Sequence, residues 1–304
     1  MNRQIGISSL TVPPLGLGCM AMSAFYGRSD DNQSALTIRT ALDCGIRMFD
    51  TADMYGMGHN EELVGISLKN CRHDVVIATK AGIYRENGKS LSNGSKDHII
   101  SSCNGSLNRL RTDYIDLYQY HRPDRNVPIT ESLEAFHTLV LTGKVRYIGV
   151  CNFSYDQLKL AAESFPIVSV QNEYSLLSKM ENESILTYCE SRGISFIAYS
   201  PLAKGLLAGK KAESLGVDDY RASHPWFKDA TYEENRKKFI LLQELADLKG
   251  TSPSCLALAW IIHSSPQLLP IVGARTPEQI KSNADVLSIR LTTEEFSMID
   301  QLFQ

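Results

Sequence analysis

The stretch Met48–Val64, MFDTADMYGMGHNEELV, decides how the rest of the chain is interpreted. It opens with an apolar strand end, places Asp50 and Tyr55 five residues apart, and then turns at Gly56 and Gly58 towards a helical pattern. The pattern predicts two reactive side chains at a strand-to-helix junction. Alone, the pair is better explained by a helix-capping or turn aspartate and a surface tyrosine, so the functional interpretation depends on later strands.

The composition is that of an average globular protein. The 304 residues are 43% hydrophobic and 21% charged, with a net charge of −3 and a pI near 6.2. Such a chain can bury a large core, and it has no basic signature for nucleic acid or for a membrane surface. No run approaches about 18 apolar residues, and no signal-peptide pattern is present. We therefore expect a cytoplasmic protein, a monomer or weak homo-oligomer, without nucleic-acid or membrane partners.

The cysteines and histidines predict neither disulfides nor a metal site. No Cys-x-x-Cys pair occurs, and no two histidines lie within five residues of each other. The pattern indicates reduced, mostly buried thiols and no bound metal. The seven cysteines are at positions 19, 44, 71, 103, 151, 189 and 255.

Eight short apolar runs, each followed by a helical pattern, predict the fold. Runs such as VVIATK and IDLYQY are apolar throughout, as is typical of parallel strands covered on both faces. Eight βα units in about 250–300 residues predict an α/β fold, namely a (β/α)8 TIM barrel forming one domain over residues 1–304. The predicted barrel strands are 15–20, 46–51, 75–80, 115–120, 145–151, 167–171, 194–200 and 268–273.

The other segments complete the predicted topology. Residues 3–12 predict a small N-terminal hairpin, and residues 201–252 form a long excursion after the seventh strand with one clear helix. Gly45 and Gly193 are well placed to end the helices that precede them. Helices are predicted at 30–44, 60–69, 96–111, 130–142, 155–163, 181–192, 233–249, 253–263, 277–286 and 292–303.

Polar residues follow nearly every predicted strand. In (β/α)8 barrels the working residues lie at the C-terminal ends of the strands and in the loops that follow them. An ordinary barrel needs no polar group at most of these points, so the set indicates a site. From the second strand to the eighth, the residues are Asp50 with Tyr55, Lys80, His121, Cys151 with Asn152, Gln171 with Asn172, Tyr199 with Ser200, and Gly273 to Arg275.

The first four of these residues suit proton transfer to an oxygen. Tyrosine has a pKa of about 10; a neighbouring ammonium lowers it, and a value near 7 requires about 3 units, or about 4 kcal/mol. Asp50 would keep Lys80 charged, and His121 would orient the substrate oxygen. Hydrolysis fits poorly because no GxSxG elbow or cysteine–histidine pair is present. Separately, Lys80 could be a solvated mouth lysine and His121 a structural histidine, but their arrival at consecutive strand ends argues against coincidence.

One motif points to a different fold. Residues 16–21, GLGCMA, fit the GxGxxA fingerprint of dinucleotide-binding Rossmann sheets. The following residues, SAFYG, predict a loop rather than a helix, so no helix N-terminus is available for a pyrophosphate. We interpret the segment as a barrel strand whose glycines give room to the cofactor or the core.

The chain resembles the aldo-keto reductases over residues 16–283, in particular the microbial and plant-type branch related to potassium-channel β subunits. The resemblance implies a (β/α)8 barrel, NADPH, and a catalytic tetrad of Asp50, Tyr55, Lys80 and His121. It is carried, in this order, by FDTADMYG, VVIATKAG, IDLYQYHRPD, IGVCNFS, VQNEYSLL, AYSPLAKGLLAG and IVGARTPEQIKSN.

The resemblance also implies a set of cofactor-binding residues. Side-chain amides suit a carboxamide, and a glycine-rich loop or a helix start with an arginine suits phosphate. Tyr199 is also compatible with an ordinary core aromatic. The implied contacts are Asn152, Gln171 and Tyr199 for the nicotinamide, Ser200, Leu202, Lys204 and Gly205 for the pyrophosphate, Gly273 and Arg275 for a 2′-phosphate, and Gln279 and Asn283 for the adenine.

Substrate choice is expected in the loops. The candidate walls are aromatic or basic residues, each equally plausible as loop packing: Phe25, Tyr26, Tyr84, Arg85, Trp226 and Phe227. Cys151 stands where many relatives carry serine, which removes a hydroxyl and leaves open whether the thiol is exposed to oxidation.

These observations favour an NADPH-dependent reductase of a small aldehyde or ketone, with Tyr55 as the general acid. One alternative is a nicotinamide-bound sensor or accessory subunit with little turnover. Another is a barrel isomerase or aldolase that uses Lys80 as a Schiff base.

Overall fold

A computed structural model describes residues 2–23, 29–86, 88–216 and 219–304. Its strands are β1 (Arg3–Gln4), β2 (Thr11–Val12), β3 (Gly16–Gly18), β4 (Met48–Asp50), β5 (Val76–Ala81), β6 (Ile83–Glu86), β7 (Lys89–Ser92), β8 (Ile115–Tyr120), β9 (Val145–Cys151), β10 (Ile167–Glu173), β11 (Ser195–Tyr199) and β12 (Leu268–Gly273). Its α-helices are α1 (Asp31–Asp43), α2 (His59–Leu68), α3 (Lys96–Leu110), α4 (Ile129–Leu141), α5 (Tyr155–Ser164), α6 (Glu183–Arg192), α7 (Asp229–Lys249), α8 (Pro253–Ser264), α9 (Pro277–Ala284) and α10 (Thr293–Leu302).

A closed barrel forms the centre of the described structure. Eight parallel strands pair in the order β3-β4-β5-β8-β9-β10-β11-β12, and β12 pairs back to β3. Helices follow the strands, so the predicted (β/α)8 TIM barrel is confirmed. The register places Asp50 level with Ala78 and Lys80 level with Gln119, which brings residues from neighbouring strand ends together at one mouth.

The predicted elements are present with shifted ends. β4 is shorter than expected because the N–H of Ile46 still bonds to the carbonyl of Ala41 at the end of α1, at 2.9 Å. The helix of the excursion begins at Asp229 rather than at residue 233, and the predicted last helical turn after α9 is a 3-10 turn, Asp285–Ser288. In the described part of the chain, no helix is both long and apolar enough to cross a membrane.

The N-terminal hairpin, β1 and β2, covers one end of the barrel. Ile5, Leu10 and Val12 are buried against inward-facing strand residues such as Leu117 and Ile197. This packing excludes water from the end opposite the mouth, and it confirms the predicted hairpin.

The glycine motif at residues 16–21 belongs to the barrel and not to a Rossmann sheet. β3 pairs with β4 and β12 and is followed by a single 3-10 turn, Met20–Met22. A Cβ on Gly16 would lie 2.9 Å from Cγ2 of Ile271, so the core needs glycine there, whereas Gly18 lies at the mouth. Gly16 therefore gives room to the core, as expected, and Gly18 leaves room at the mouth.

A close approach between α2 and α3 depends on Gly65. A Cβ there would lie 2.6 Å from the carbonyl oxygen of Leu110. Although alanine is normally favoured in helices, this backbone contact leaves no room, and overpacking typically costs about 1–3 kcal/mol. We expect Gly65→Ala to lower the free energy of unfolding by about 1–2 kcal/mol in urea titrations. Gly216→Ala is the control, because no atom of the described residues outside its chain neighbours lies within 4 Å of its Cβ position. An equal effect of both variants would contradict the steric argument.

Candidate functional site at the barrel mouth

Tyr55 is held by a tight turn between β4 and α2. Gly56 and Gly58 adopt φ values of 57° and 95°, which favour glycine. A Cβ on Gly58 would lie 2.6 Å from Cδ of Arg109, whose Nε donates to the fully buried Glu61 carboxylate at 2.7 Å. The predicted strand–turn–helix junction is present, and α3 braces it from outside.

Asp50, Lys80 and Tyr55 form a continuous buried chain. Lys80 Nζ lies 2.5 Å from Asp50 Oδ1, 2.8 Å from the carbonyl oxygen of Thr51 and 3.3 Å from the Tyr55 hydroxyl. Lys80 is only 1% exposed, so it is not a solvated mouth lysine. The ammonium is fixed by two oxygens and directs its remaining donor capacity towards the tyrosine.

Two glutamines complete the surroundings of Asp50. Gln171 Nε2 donates to Asp50 Oδ2 at 2.8 Å, and Gln119 Nε2 donates to the same oxygen at 3.1 Å. The carboxylate thus accepts bonds on both oxygens, which stabilises its charge in a buried place. Gln171 therefore supports Asp50 with its amide N–H, which was not expected from the sequence.

The pKa values follow from burial and from this pairing. Burial raises the pKa of Tyr55 to about 12, although the Lys80 charge acts in the opposite direction. Burial alone would lower the pKa of Lys80, but Asp50, Tyr55 and Cys151 together raise it above its ordinary value. The expected lowering of the tyrosine pKa is therefore wrong for this structure, because desolvation outweighs an ammonium already paired with Asp50.

His121 lies beside Tyr55 as a neutral ring. The two rings meet edge to face with centroids 5.9 Å apart, and the His121 N–H of the backbone donates to Ala81 O at 2.8 Å. Burial, with Lys80 and Arg122 nearby, holds the pKa of His121 well below its usual value. Its buried Nδ1 has no hydrogen-bond partner in the described structure, so it is not a satisfied structural histidine.

A cavity of about 1060 Å³ opens at this mouth. Every residue predicted for catalysis or cofactor binding lines it except Lys80, which lies behind Asp50 and Tyr55. Among the described residues, no group of three or more His, Cys, Asp or Glu side chains is placed to hold a metal ion. The lining residues from the predicted set are Asp50, Tyr55, His121, Asn152, Gln171, Tyr199, Ser200, Leu202, Lys204, Gly205, Gly273, Arg275, Gln279 and Asn283.

Asn152 links the catalytic side of the cavity to Tyr199. Its Nδ2 donates to His121 O at 2.9 Å, and its Oδ1 accepts from the Tyr199 hydroxyl at 3.0 Å. Asn152 also adopts φ 58°, a left-handed conformation that costs free energy and often occurs at functional sites. Tyr199 is anchored by this bond at the cavity wall and is not an ordinary core aromatic.

The loop after β11 is strained where it lines the cavity. Ser200, Ala203, Lys204 and Gly205 all have positive φ values, between 48° and 100°. The Lys204 ammonium pairs with Glu173 and lies 4.8 Å from the ring centroid of Trp226. Three of the four are not glycine, and left-handed conformations at such residues cost free energy and often occur at functional sites.

The start of α9 forms the opposite end of the cavity. Thr276 caps the helix by accepting from Gln279 N at 3.3 Å, and Arg275 N donates to Gln279 Oε1 at 2.8 Å. Gly273 is exposed and has open space around its Cβ position. The corner therefore combines a helix N-terminus, an arginine and an uncrowded backbone, which suits an anion.

Of the two alternatives left open for the candidate substrate walls, loop packing fits the described residues better. Phe227 packs in the core beside Tyr232. Of the proposed walls within the described residues, neither Tyr84 and Arg85 nor the Trp226–Phe227 pair lines the cavity, and Ile83 and Ser90 of the β6–β7 hairpin do so. Phe25 and Tyr26 lie outside the described residues. Cys151 is 1% exposed, and burial raises its pKa, so its thiol is poorly placed for oxidation.

Sequence reasoning missed three polar residues of the site. Gln119 bonds to Asp50, Glu173 pairs with Lys204, and Arg122 lines the cavity. Glu173 lies two residues after Gln171 on β10, and Gln119 on β8 lies two residues before His121, so alternation places each on the face of a predicted site residue. Strand periodicity was the signal that would have found them.

Comparisons with known proteins agree with this architecture. The Aldo/keto reductase family profile matches residues 14–304. The chain is 34% identical over 300 residues to Probable aldo-keto reductase 1 of Glycine max, covering 97% of this chain and 87% of that protein.

Two solved structures are similar over nearly their whole length. The glycerol dehydrogenase AKR11B4 from Gluconobacter oxydans has a TM-score of 0.91 at 32% identity, with 99% of this chain and 94% of that chain covered. The holo form of the aldo-keto reductase AKR11C1 from Bacillus halodurans has a TM-score of 0.83 at 32% identity, with 99% and 95% covered. With a family match from residue 14 to the last residue and relatives of this similarity, the chain belongs to the aldo/keto reductase family and is an oxidoreductase.

Proposed function

We propose that the protein reduces an aldehyde or a ketone with NADPH, and that Tyr55 gives the proton to the carbonyl oxygen. The observation that carries the proposal is the buried chain from Asp50 through Lys80 to the Tyr55 hydroxyl, with distances of 2.5 and 3.3 Å. Tyr55 and His121 face the cavity while Lys80 stays behind them. This arrangement supplies a proton donor and a second polar group at one point of the cavity wall.

The lining residues fit a dinucleotide phosphate. Asn152 and Tyr199 stand beside the catalytic residues, Lys204 lies in the strained loop after β11, and Arg275 lies at the start of α9. The cations and backbone N–H groups of the wall would suit the phosphates of such a cofactor, and the side-chain amides at the catalytic side would suit its carboxamide. NADPH supplies the hydride when it is bound.

The proton step follows from the pKa values. With a pKa of about 12, Tyr55 keeps its proton throughout the neutral range and is present as the acid form. As the proton leaves, the Lys80 ammonium stabilises the developing phenolate. His121, held neutral, keeps a ring N–H with which to orient the carbonyl oxygen.

The Schiff-base alternative is disfavoured by the position of Lys80. Its side chain is almost fully buried, does not line the cavity, and is held as an ammonium by Asp50. A nucleophilic lysine needs a neutral amine that the substrate can reach. A sensor or accessory subunit with little turnover remains the competing function.

Steady-state assay decides between enzyme and sensor. A panel of aldehydes and ketones is incubated with NADPH, and cofactor oxidation is followed by absorbance. Enzyme-level turnover on at least one compound supports the proposal, whereas tight NADPH binding without turnover on any compound supports the sensor. Polyol oxidation with NADP⁺ belongs in the same panel, since a similar structure is a glycerol dehydrogenase.

Arg275 is expected to determine the preference for NADPH over NADH. The two cofactors differ by a 2′-phosphate, and a guanidinium binds phosphate bidentately next to a helix N-terminus. A charge-assisted contact is worth about 1.5–3 kcal/mol, or about 10–150-fold in affinity. We expect Arg275→Ala to weaken NADPH binding at least about tenfold, measured by fluorescence titration, with little change for NADH.

The control for this experiment is Arg290→Ala, an exposed arginine whose guanidinium donates to the carbonyl oxygens of Leu287 and Ile289 in its own segment. Equal weakening of NADPH and NADH by Arg275→Ala would make Arg275 a structural residue. A wild-type preference for NADH would overturn the cofactor assignment.

A further inference from the structure

Arg122 brings a positive charge to the catalytic end of the cavity. It follows His121 directly and lines the same cavity as Tyr55 and His121. After burial and Lys80, its charge contributes to lowering the pKa of His121. It also opposes the rise that burial and Glu173 give the pKa of Tyr199. The shared cavity wall thus places Arg122 on the side of the catalytic histidine.

The loop that carries Arg122 is fixed on both sides. On one side, the His121 backbone bonds to Ala81 and Asn152 at 2.8 and 2.9 Å. On the other, Asp124 N donates to the Tyr120 hydroxyl at 2.8 Å, and Pro123 restricts the backbone of Arg122. The arginine is therefore presented from a defined backbone.

No acid among the described residues neutralises Arg122. The neighbouring Asp124 accepts from Gly94 N at 2.9 Å and from Asn126 N at 2.8 Å. Of the acids in the cavity wall, Asp50 pairs with Lys80 and Glu173 with Lys204. Glu278 belongs to α9, at the opposite end.

The other cations of the wall belong to other segments of the chain. Lys204, Lys210 and Arg221 belong to the excursion after β11. Arg221 pairs there with Asp219 and donates to Lys204 O. Arg275 precedes α9. Arg122 is thus the cation next to the catalytic histidine, whereas the others suit the phosphates of the cofactor.

We propose that Arg122 binds an anionic group of the carbonyl substrate, so that the protein acts on aldehydes or ketones bearing a carboxylate or a phosphate. The planar guanidinium offers paired donors that match either group. The inference rests on the proposed reductase function and narrows it to a substrate class.

Paired substrates that carry or lack an anionic group test the proposal. The 3- and 4-carboxybenzaldehydes are compared with their methyl esters, and glyceraldehyde 3-phosphate is compared with glyceraldehyde. The kcat/KM for NADPH-dependent reduction is measured for each compound. The readout is the ratio of kcat/KM for the anionic substrate to kcat/KM for its neutral partner. The two pairs distinguish carboxylate from phosphate recognition.

The variant is Arg122→Met, and the control is Arg125→Met, an exposed arginine of the same loop that is not among the cavity-lining residues of the described structure. We expect the wild type to favour at least one anion, and Arg122→Met to lower that ratio by about 10–150-fold. Arg125→Met is expected to leave the ratio unchanged. An equal fall in kcat/KM for the anionic and the neutral substrates would show that Arg122 only supports the fold.

A binding measurement separates this inference from the proposed function. Benzoate and phenyl phosphate are titrated by calorimetry into the protein with and without NADP⁺. Weaker anion binding in Arg122→Met supports the inference even if no aldehyde is reduced. Reduction of neutral aldehydes with no anion preference and no anion binding overturns the inference and leaves the reductase function standing.

Discussion

Replacing Tyr55 by phenylalanine is expected to lower kcat for aldehyde reduction by about 10²–10⁴-fold, the usual contribution of a general acid. Only the hydroxyl is lost, because the ring keeps its edge-on contact with His121 and Lys80 keeps its bond to Asp50. Since the hydroxyl bonds to Lys80, the variant should bind NADPH nearly as well as the wild type. The measurement is steady-state reduction together with fluorescence titration of NADPH.

Tyr84→Phe is the matched control, since Tyr84 lies on the β6–β7 hairpin, in ring contact with His98. It should retain near-normal kcat. Turnover of Tyr55→Phe close to that of the wild type would remove Tyr55 from the proton step. A large loss of NADPH affinity in the same variant would instead assign the tyrosine to cofactor binding.

The acid form of Tyr55 also sets the pH dependence of the two directions. With its pKa raised to about 12 by burial, the proton stays on the hydroxyl at neutral pH, which suits reduction. Oxidation of an alcohol needs the phenolate, whose population grows only as the pH rises towards that value. Reduction should therefore stay level through the neutral range, and oxidation should rise with pH.

The sequence was sufficient to predict which residues meet at the mouth. Asp50, Lys80 and His121 end consecutive barrel strands, and the closed barrel brings those ends together whatever the loops do. Two glycines signalled the turn that delivers Tyr55. The local sequence pattern and the barrel topology place the same residues at the mouth, so the strand ends and the turn were enough to predict them.

What failed depended on burial and on loop paths. The direction of the Tyr55 pKa shift is set by desolvation against a lysine already neutralised by Asp50, and neither term is visible in residue order. Phe227 was a candidate pocket aromatic but packs in the core with Tyr232. A loop sequence has no periodicity from which the core-facing side chains could be predicted. Arg122 passed unnoticed beside His121 for the same reason.

The second large effect is expected from Lys80→Met. The ammonium lowers the pKa of Tyr55 against the raising effect of burial, and it also compensates the buried Asp50 carboxylate. Removing the ammonium abolishes its lowering effect on the pKa of Tyr55 and leaves the unpaired Asp50 carboxylate near the tyrosine. Both changes raise the pKa of Tyr55 further.

Removing one partner of a buried ion pair also costs about 3–5 kcal/mol of stability. The experiment therefore includes the double variant Asp50→Asn with Lys80→Met, which leaves neither charge unpaired. Lys249→Met is the control, because that lysine pairs with Glu295 on α10, away from the site. Circular dichroism melts confirm that each variant compared is folded.

The readout is alcohol oxidation with NADP⁺ as a function of pH, because this direction needs the phenolate of Tyr55. The activity of Lys80→Met should rise at a pH higher than that of the wild type by at least about one unit, equivalent to about 1.4 kcal/mol. Reduction should fall by at least about 10²-fold, since the phenolate left behind loses its ammonium. The double variant should show an intermediate pH shift, because the Asp50 charge that also raises the pKa is gone.

An oxidation profile of Lys80→Met that coincides with the wild-type profile would mean that Lys80 does not act through Tyr55. The 3.3 Å contact would then be structural, and the proton would need another donor.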